Sequence, residues 1–145
     1  MRAIIAFIAI IGLIAGCATF GGVRYDKKFG IYVENSRVST FCLVPELRAV
    51  IRQAERHFNA PVVVSSGYRN PFRNWRNGGA DGSFHKKCMA ADIFVPGVSK
   101  AALIDYMMRE TSVGGLGCYP GRKFIHIDVR DRPRGASRPI TFSGC

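Results

Sequence analysis

Apolar residues run from Ala3 to Gly16 without a charge, behind a single basic residue, Arg2. The run is too short to cross a bilayer comfortably and has the make-up of a signal-peptide core over residues 1–16; a short buried helix is the competing reading. Residues 17–40 show no sustained period and contain scattered glycines, so a tether followed by irregular structure is expected there, with the folded domain over 41–145. In VPELRAVIRQAERHF, the residues Val44, Leu47, Val50, Ile51, Ala54 and Phe58 fall on one helical stripe, and Pro45 suits a first turn. APVVVSS is a β-branched run that reads as a buried strand. From Gly67 to Lys87 the chain is rich in Gly, Asn and Pro and has no period. A loop that long in a small domain is usually functional or disordered. Its aromatics Tyr68, Phe72 and Trp75 argue for the functional reading.

MAADIFV is a second strand candidate, and SKAALIDYMMRE a second helix capped by Ser99. GGLGCYPGR has turn chemistry. KFIHIDVR is the clearest strand: its alternation puts Phe124, His126, Asp128 and Arg130 on one face and Ile125, Ile127 and Val129 on the other. The tail DRPRGASRPITFSGC has no strong period, and internal repeats are absent from the sequence. Together these elements predict a small single-domain α+β fold, an antiparallel sheet with flanking helices.

Charge adds a second constraint. The net charge is +11 over 145 residues and stays at about +10 once residues 1–16 are removed. A domain this basic favours anionic partners. For an exported chain, a cell wall or lipid surface is a better candidate than nucleic acid, and no nucleic-acid partner is expected; a merely solvated basic face accounts for the charge equally well. Of five cysteines, Cys17 closes the apolar segment. The remaining Cys42, Cys88, Cys118 and Cys145 make an even set that suits two disulfides, with three pairings open. A Cys-rich metal site is disfavoured because no pair has CxxC spacing.

Three histidines are present. His57 sits late in the first helix and reads as a surface or cap residue. His85 closes the Gly-rich loop, Asp92 lies in the strand after it, and His126 lies mid-strand beside Asp128. Two imidazoles and one carboxylate suit a borderline ion such as Zn²⁺, and three protein ligands leave a position open for water, the mark of a catalytic site. Taken alone, a His…Asp spacing of seven is a weak signal, and a solvent-facing His126 would give the same pattern.

Two resemblances sharpen the reading. LIAGC, ending at Cys17, resembles the lipobox of bacterial lipoproteins. That resemblance implies cleavage before Cys17, lipidation of Cys17, and an acyl anchor on a membrane of the bacterial envelope. Ala18 after the cysteine points to the outer membrane, with the domain periplasmic. The second covers roughly residues 40–130. SSGYRNPFRNWRNGGADGSFHKKCMAADIFV followed by GGLGCYPGRKFIHIDVR resembles the M15 zinc peptidases, in their compact D-alanyl-D-alanine carboxypeptidase-like branch. The matching positions are Ser83, His85, Ala90 and Asp92; Ser66, Gly67, Tyr68, Arg69, Asn74, Gly78, Gly79 and Ala80; and Phe124, His126 and Asp128.

The resemblance implies a hedgehog/D-Ala-D-Ala peptidase-like fold and a Zn²⁺ held by His85, Asp92 and His126. It also implies hydrolysis of peptide bonds in peptidoglycan stems, as a D,D-carboxypeptidase or an endopeptidase. Arg69 is then expected to grip a substrate carboxylate or the scissile carbonyl, with a structural salt bridge as the alternative. Tyr68, Asn74 and Ser83 are expected to bind substrate or shape the loop. The chain departs from the pattern twice. Lys123 stands where many M15 enzymes carry a Glu or Asp three residues before the last histidine, which makes Asp128 the expected general base, or else a carboxylate that orients a ligand. Cys88 stands where the family has glycine. With Cys118 in the matching turn, it suggests a Cys88–Cys118 disulfide bracing the site and a Cys42–Cys145 pair; a Cys88 thiolate on the metal is the alternative. A non-catalytic, metal-retaining wall-binding lipoprotein is the rival reading of the whole chain.

Overall fold

The computed structural model describes residues 18–145; the expected signal peptide over residues 1–16 and the expected lipidation site Cys17 lie outside the described residues. Helix α1 (Pro45–Phe58) forms where the apolar stripe predicts it. Pro45 stands in the first turn, Glu46 lies near the positive N-terminal end of the dipole, and Asn59 closes the helix in the left-handed conformation. Leu47, Val50, Ile51 and Ala54 are its buried face. Helix α3 (Lys100–Arg109) is capped by Ser99, whose side chain accepts from the Ala102 N–H. Between them lies the short helix α2 (Pro71–Arg76), capped by Asn70 through the Arg73 N–H, and a 3-10 turn over Phe84–Lys87. The stretch 67–87 is therefore partly helical, not a plain loop. Its two helical pieces are too short to show a hydrophobic period, and the start signals of α2 are the Asn70 cap and Pro71.

Eight strands form one sheet in the order β1-β2-β3-β4-β5-β7-β6-β8. They are β1 (Ala18–Phe20), β2 (Val23–Lys28), β3 (Ile31–Val33), β4 (Val63–Ser66), β5 (Ala90–Phe94), β6 (Gly115–Gly117), β7 (Ile125–Asp128) and β8 (Ile140–Phe142). The expected antiparallel sheet is in fact mixed, because β3–β4 and β6–β8 pair in parallel. A parallel pair needs a crossover, and the segment carrying α1 supplies it between β3 and β4. Two further expectations change. Residues 18–33, taken as tether, supply three strands, and the glycines of GGLG form β6. Both stretches are polar or small enough to hide a strand pattern, and the sheet recruits them through backbone pairing.

The sheet has two unlike faces. Ala91, Ile93, Ile125 and Ile127 turn into a core with Leu47, Val50 and Ile51 of α1 and Leu103 and Met107 of α3. Fully burying one such aliphatic side chain contributes roughly 1.5–3 kcal/mol, so this face fixes the register of β5 against β7. In that register Asp92 lies opposite His126, and Ala90 opposite Asp128. The polar residues of both strands thus share the other face, as strand alternation requires.

The disulfides are Cys42–Cys88 and Cys118–Cys145, which corrects the expected Cys88–Cys118 and Cys42–Cys145 pairs. Backbone pairing explains the outcome. The Val44 N–H donates to the Cys88 carbonyl, so the start of α1 already lies against the end of the 3-10 turn. The Cys118 N–H donates to Phe142 and the Tyr119 N–H to Ser143, which brings the tail beside β6. With its sulfur in a disulfide, Cys88 is also removed as a metal ligand. Cys88 closes the 3-10 turn at φ 60°, in the left-handed region that favours glycine.

Candidate metal centre

The 3-10 turn, β5 and β7 each bring one polar side chain to the same point. His85 Nε2 lies 3.2 Å from Asp92 Oδ1 and 3.1 Å from His126 Nδ1, and His126 Nδ1 lies 3.1 Å from Asp92 Oδ1. All three residues are buried. A tetrahedral ion with bonds of 2.0–2.1 Å would set its ligands roughly 3.3–3.4 Å apart, so this triangle suits a small divalent cation with little adjustment. Three such groups within 4.8 Å of one another could hold a metal. The donor set, two imidazole nitrogens and a carboxylate oxygen, is borderline rather than purely hard.

Outer partners fix each ring. His85 Nδ1 lies 2.7 Å from the Gly67 carbonyl, so that nitrogen carries the hydrogen and Nε2 turns its lone pair to the cluster. His126 is held the opposite way round, with Nε2 3.1 Å from Asp128 Oδ2 and Nδ1 toward Asp92 and His85. Asp128 is wholly buried. Its two oxygens also take Arg130, through Nε at 2.7 Å and Nη2 at 2.5 Å. Arg69 donates through Nη2 to Asp92 Oδ2 and through Nε to Ser66 Oγ at 2.8 Å. The Asp92 oxygen that faces the histidines is therefore Oδ1, and the other is anchored by a guanidinium.

Charge balance follows from these contacts. Burial pushes the Asp92 carboxyl up, but hydrogen bonds from His126 and His85 outweigh it and hold it well below the usual carboxylate range. Burial acts the same way on Asp128, and there the bonds from His126 and Arg130 bring it down to about 2. At His85 burial dominates and lowers the imidazole despite Asp92. At His126 burial is outweighed by Asp128 and Asp92, and the imidazole is raised.

A cleft of about 1130 Å³ opens over the cluster. His85, Asp92, His126, Arg69 and Ser83 all line it. Asn74 does not; it is buried, and its Nδ2 donates to the Gly79 and Ala80 carbonyls at 3.1 and 2.9 Å, pinning the turn after α2. Tyr68 packs edge-on against Phe41 with ring centroids 5.6 Å apart, away from the cleft lining. Lys123 lines the cleft, lies 4.3 Å over the Phe94 ring and forms an ion pair with Glu34.

Sequence reasoning missed two participants. Arg130 was assigned to the face of His126 and Asp128 without a role, although its place two residues beyond Asp128 on that face was the available signal. Glu34 gave no signal, because only the pairing of β3 with β4 brings it to the cleft.

The chain is similar to known proteins over most of its described length. The peptidase M15 family profile matches residues 25–128, a span that holds all three clustered residues and begins within the stretch expected to be a tether. The peptidoglycan L,D-endopeptidase MepK of Escherichia coli strain K12 is 40% identical over 79 residues, a match covering 48% of this chain and 40% of that protein. The protein of the same name from Shigella flexneri matches to the same extent. The chain thus spans about 40% of the length of the curated relatives it matches.

Proposed function

The chain belongs to the peptidase M15 family, and from that premise we propose that it is a zinc-dependent peptidase that hydrolyses peptide bonds in peptidoglycan stem peptides. The observation that carries this reading is the triangle of His85 Nε2, Asp92 Oδ1 and His126 Nδ1 beneath an open cleft. These three residues would hold the ion. When bound, zinc supplies Lewis-acid polarisation of a carbonyl oxygen and makes a water acidic enough to ionise near neutral pH.

The chain's own residues supply the rest. Asp128 and Arg130 orient His126, and the Gly67 carbonyl orients His85. Asp128 is read here as this orienting group in place of the general base, since its carboxylate is buried on the far side of the His126 ring. Arg69 steadies Asp92, and its partly exposed guanidinium at the cleft suits a substrate carboxylate or a developing oxyanion. Besides Asp92, the one carboxylate among the described residues that lines the cleft is Glu34. It is the proton acceptor in this reading, brought to the cleft by the pairing of β3 with β4 and held there by its ion pair with Lys123. Arg69, Arg73, Arg122, Lys123 and Arg130 make the lining cationic, which suits stem peptides bearing free carboxylates. The endopeptidase names of the matched relatives favour a cut within the peptide over removal of one terminal residue. Lipidation at Cys17 and a periplasmic, outer-membrane location belong to the same proposal.

The rival reading, a metal-retaining wall-binding protein without catalysis, is favoured by one observation: the Glu34 carboxylate is already paired with Lys123. Incubating the soluble domain with purified peptidoglycan, with and without chelator, separates the two. Zinc-dependent release of defined muropeptides, lost in Glu34→Gln while zinc stays bound, supports the peptidase. Binding to the wall with no zinc-dependent product supports the rival, and the product profile identifies the bond.

A further inference from the structure

The short helix α2 presents an aromatic surface that the reaction does not use. Phe72 and Trp75 stand three residues apart, on the same side of the helix. They are 66% and 74% exposed, and their rings lie 6.0 Å apart at 36° to each other. Two large aromatics left adjacent in solvent on a small domain mark an interaction surface. The same helix borders the cleft: Arg73 and, just past the helix end, Asn77 line it, and buried Asn74 locks the turn that follows. Arg73 is also tied to the Arg37 carbonyl at 2.8 Å. The aromatic face is therefore carried on a braced element rather than a loose one.

We propose that Phe72 and Trp75 form a stacking platform for the sugar chain of peptidoglycan, next to the cleft that takes its peptide. The inference rests on the reading of the cleft as a peptidoglycan peptidase site. In that polymer the peptide is covalently joined to N-acetylated sugars, whose C–H faces stack on aromatic rings. Each extended residue spans roughly 3.5 Å, so a stem a few residues long keeps its sugar within reach of a helix on the rim. Exposed Arg76 on the same helix supplies hydrogen-bond donors for sugar oxygens. That Arg73 of the same short helix lines the cleft favours this occupant over a membrane surface.

Trp75 is the single tryptophan of the chain, so its fluorescence reports on the platform directly. Peptide-free glycan strands titrated into the disulfide-bonded domain should change that emission saturably, and Phe72→Ala should weaken the apparent affinity about tenfold. The double variant Phe72→Ala, Trp75→Ala should cleave sugar-free stem peptides like the wild type but intact sacculi about tenfold more slowly. Glycan strands that leave the emission unchanged overturn the proposal, as do equal losses on both substrates. A response to phosphatidylglycerol vesicles without one to glycan assigns the surface to membrane and also overturns it. Saturable glycan binding by a protein that cleaves neither substrate upholds the platform and removes the peptidase reading instead.

Discussion

Gly115 lies directly opposite Asp128 in the β6–β7 ladder, and the missing side chain is what leaves room for the carboxylate. A Cβ at position 115 would stand 2.3 Å from Asp128 Oδ2 and 2.7 Å from its Cγ. Asp128 has nowhere to retreat, since it is wholly buried and gripped by Arg130 and His126. Gly115→Ala should therefore push the carboxylate off His126. Overpacking of this kind costs roughly 1–3 kcal/mol of stability, and loss of an orienting partner lowers metal affinity roughly 10–100-fold. Zinc competition against a chromophoric chelator, with thermal unfolding alongside, measures both. An alanine variant with wild-type zinc affinity would show that the Asp128–His126 contact does not tune the site.

The orienting role assigned to Asp128 separates from a proton-accepting role through zinc dependence. Asp128→Asn keeps the shape but removes the charge that Arg130 and His126 share. Zinc affinity should fall roughly 10–100-fold, while kcat at saturating zinc should stay within about an order of magnitude of wild type. A far larger fall in kcat at full zinc occupancy would return Asp128 to the chemistry. Steady-state kinetics across a zinc series makes the distinction.

Much of this arrangement was legible from periodicity. The α1 stripe predicted that helix's buried face and the alternation of β7 predicted its two faces, whereas the convergence of Asp92 with His126 was implied only by the resemblance to the M15 peptidases. What stayed hidden depends on long-range backbone pairing. Nothing local to Glu34 says that β3 will lie parallel to β4 and turn it to the cleft. The glycines of β6 read as turn because the positions that pass close to Asp128 and Phe142 carry no side chain, which leaves Leu116 alone to show a pattern. The disulfide pairing failed for the same reason. It was inferred from which segments meet at the metal, whereas the cysteines follow the neighbours set by the α1 start and by β8.

The Cys42–Cys88 bond closes a 46-residue separation, for which chain entropy alone gives roughly 4 kcal/mol. Against this, Cys88 occupies a left-handed backbone position, which costs a non-glycine residue roughly 1–2 kcal/mol. The two effects can be separated. Cys42→Ser, Cys88→Ser should lose the full benefit of the crosslink, whereas Cys42→Ser, Cys88→Gly should recover roughly 1 kcal/mol of it. Urea unfolding of both double variants reads the difference, after non-reducing peptide mapping has confirmed that Cys118–Cys145 remains. Equal stabilities would mean that the backbone at 88 relaxes once the bond is gone.

Glu55 makes stability depend on pH away from the metal centre. Its Oε1 is buried without a hydrogen-bond partner among the described residues. Burial raises its pKa above the ordinary glutamate range, against the Val62 backbone bond and the charges of Lys27, Arg52 and Arg56. A carboxyl raised on folding binds its proton more tightly in the native state. Its stabilising contribution is therefore complete below the unfolded-state pKa and is lost as pH rises through the folded-state value. At neutral pH the wild type holds a partly desolvated charge that Glu55→Gln would not. The variant should melt higher near pH 7.5, by on the order of 3 °C for each difference of roughly 1 kcal/mol. The gain should shrink toward zero near pH 4, where Glu55 is itself protonated. Thermal unfolding of both proteins across that range gives the difference curve, and a gain that is flat with pH would assign the effect to packing instead of charge.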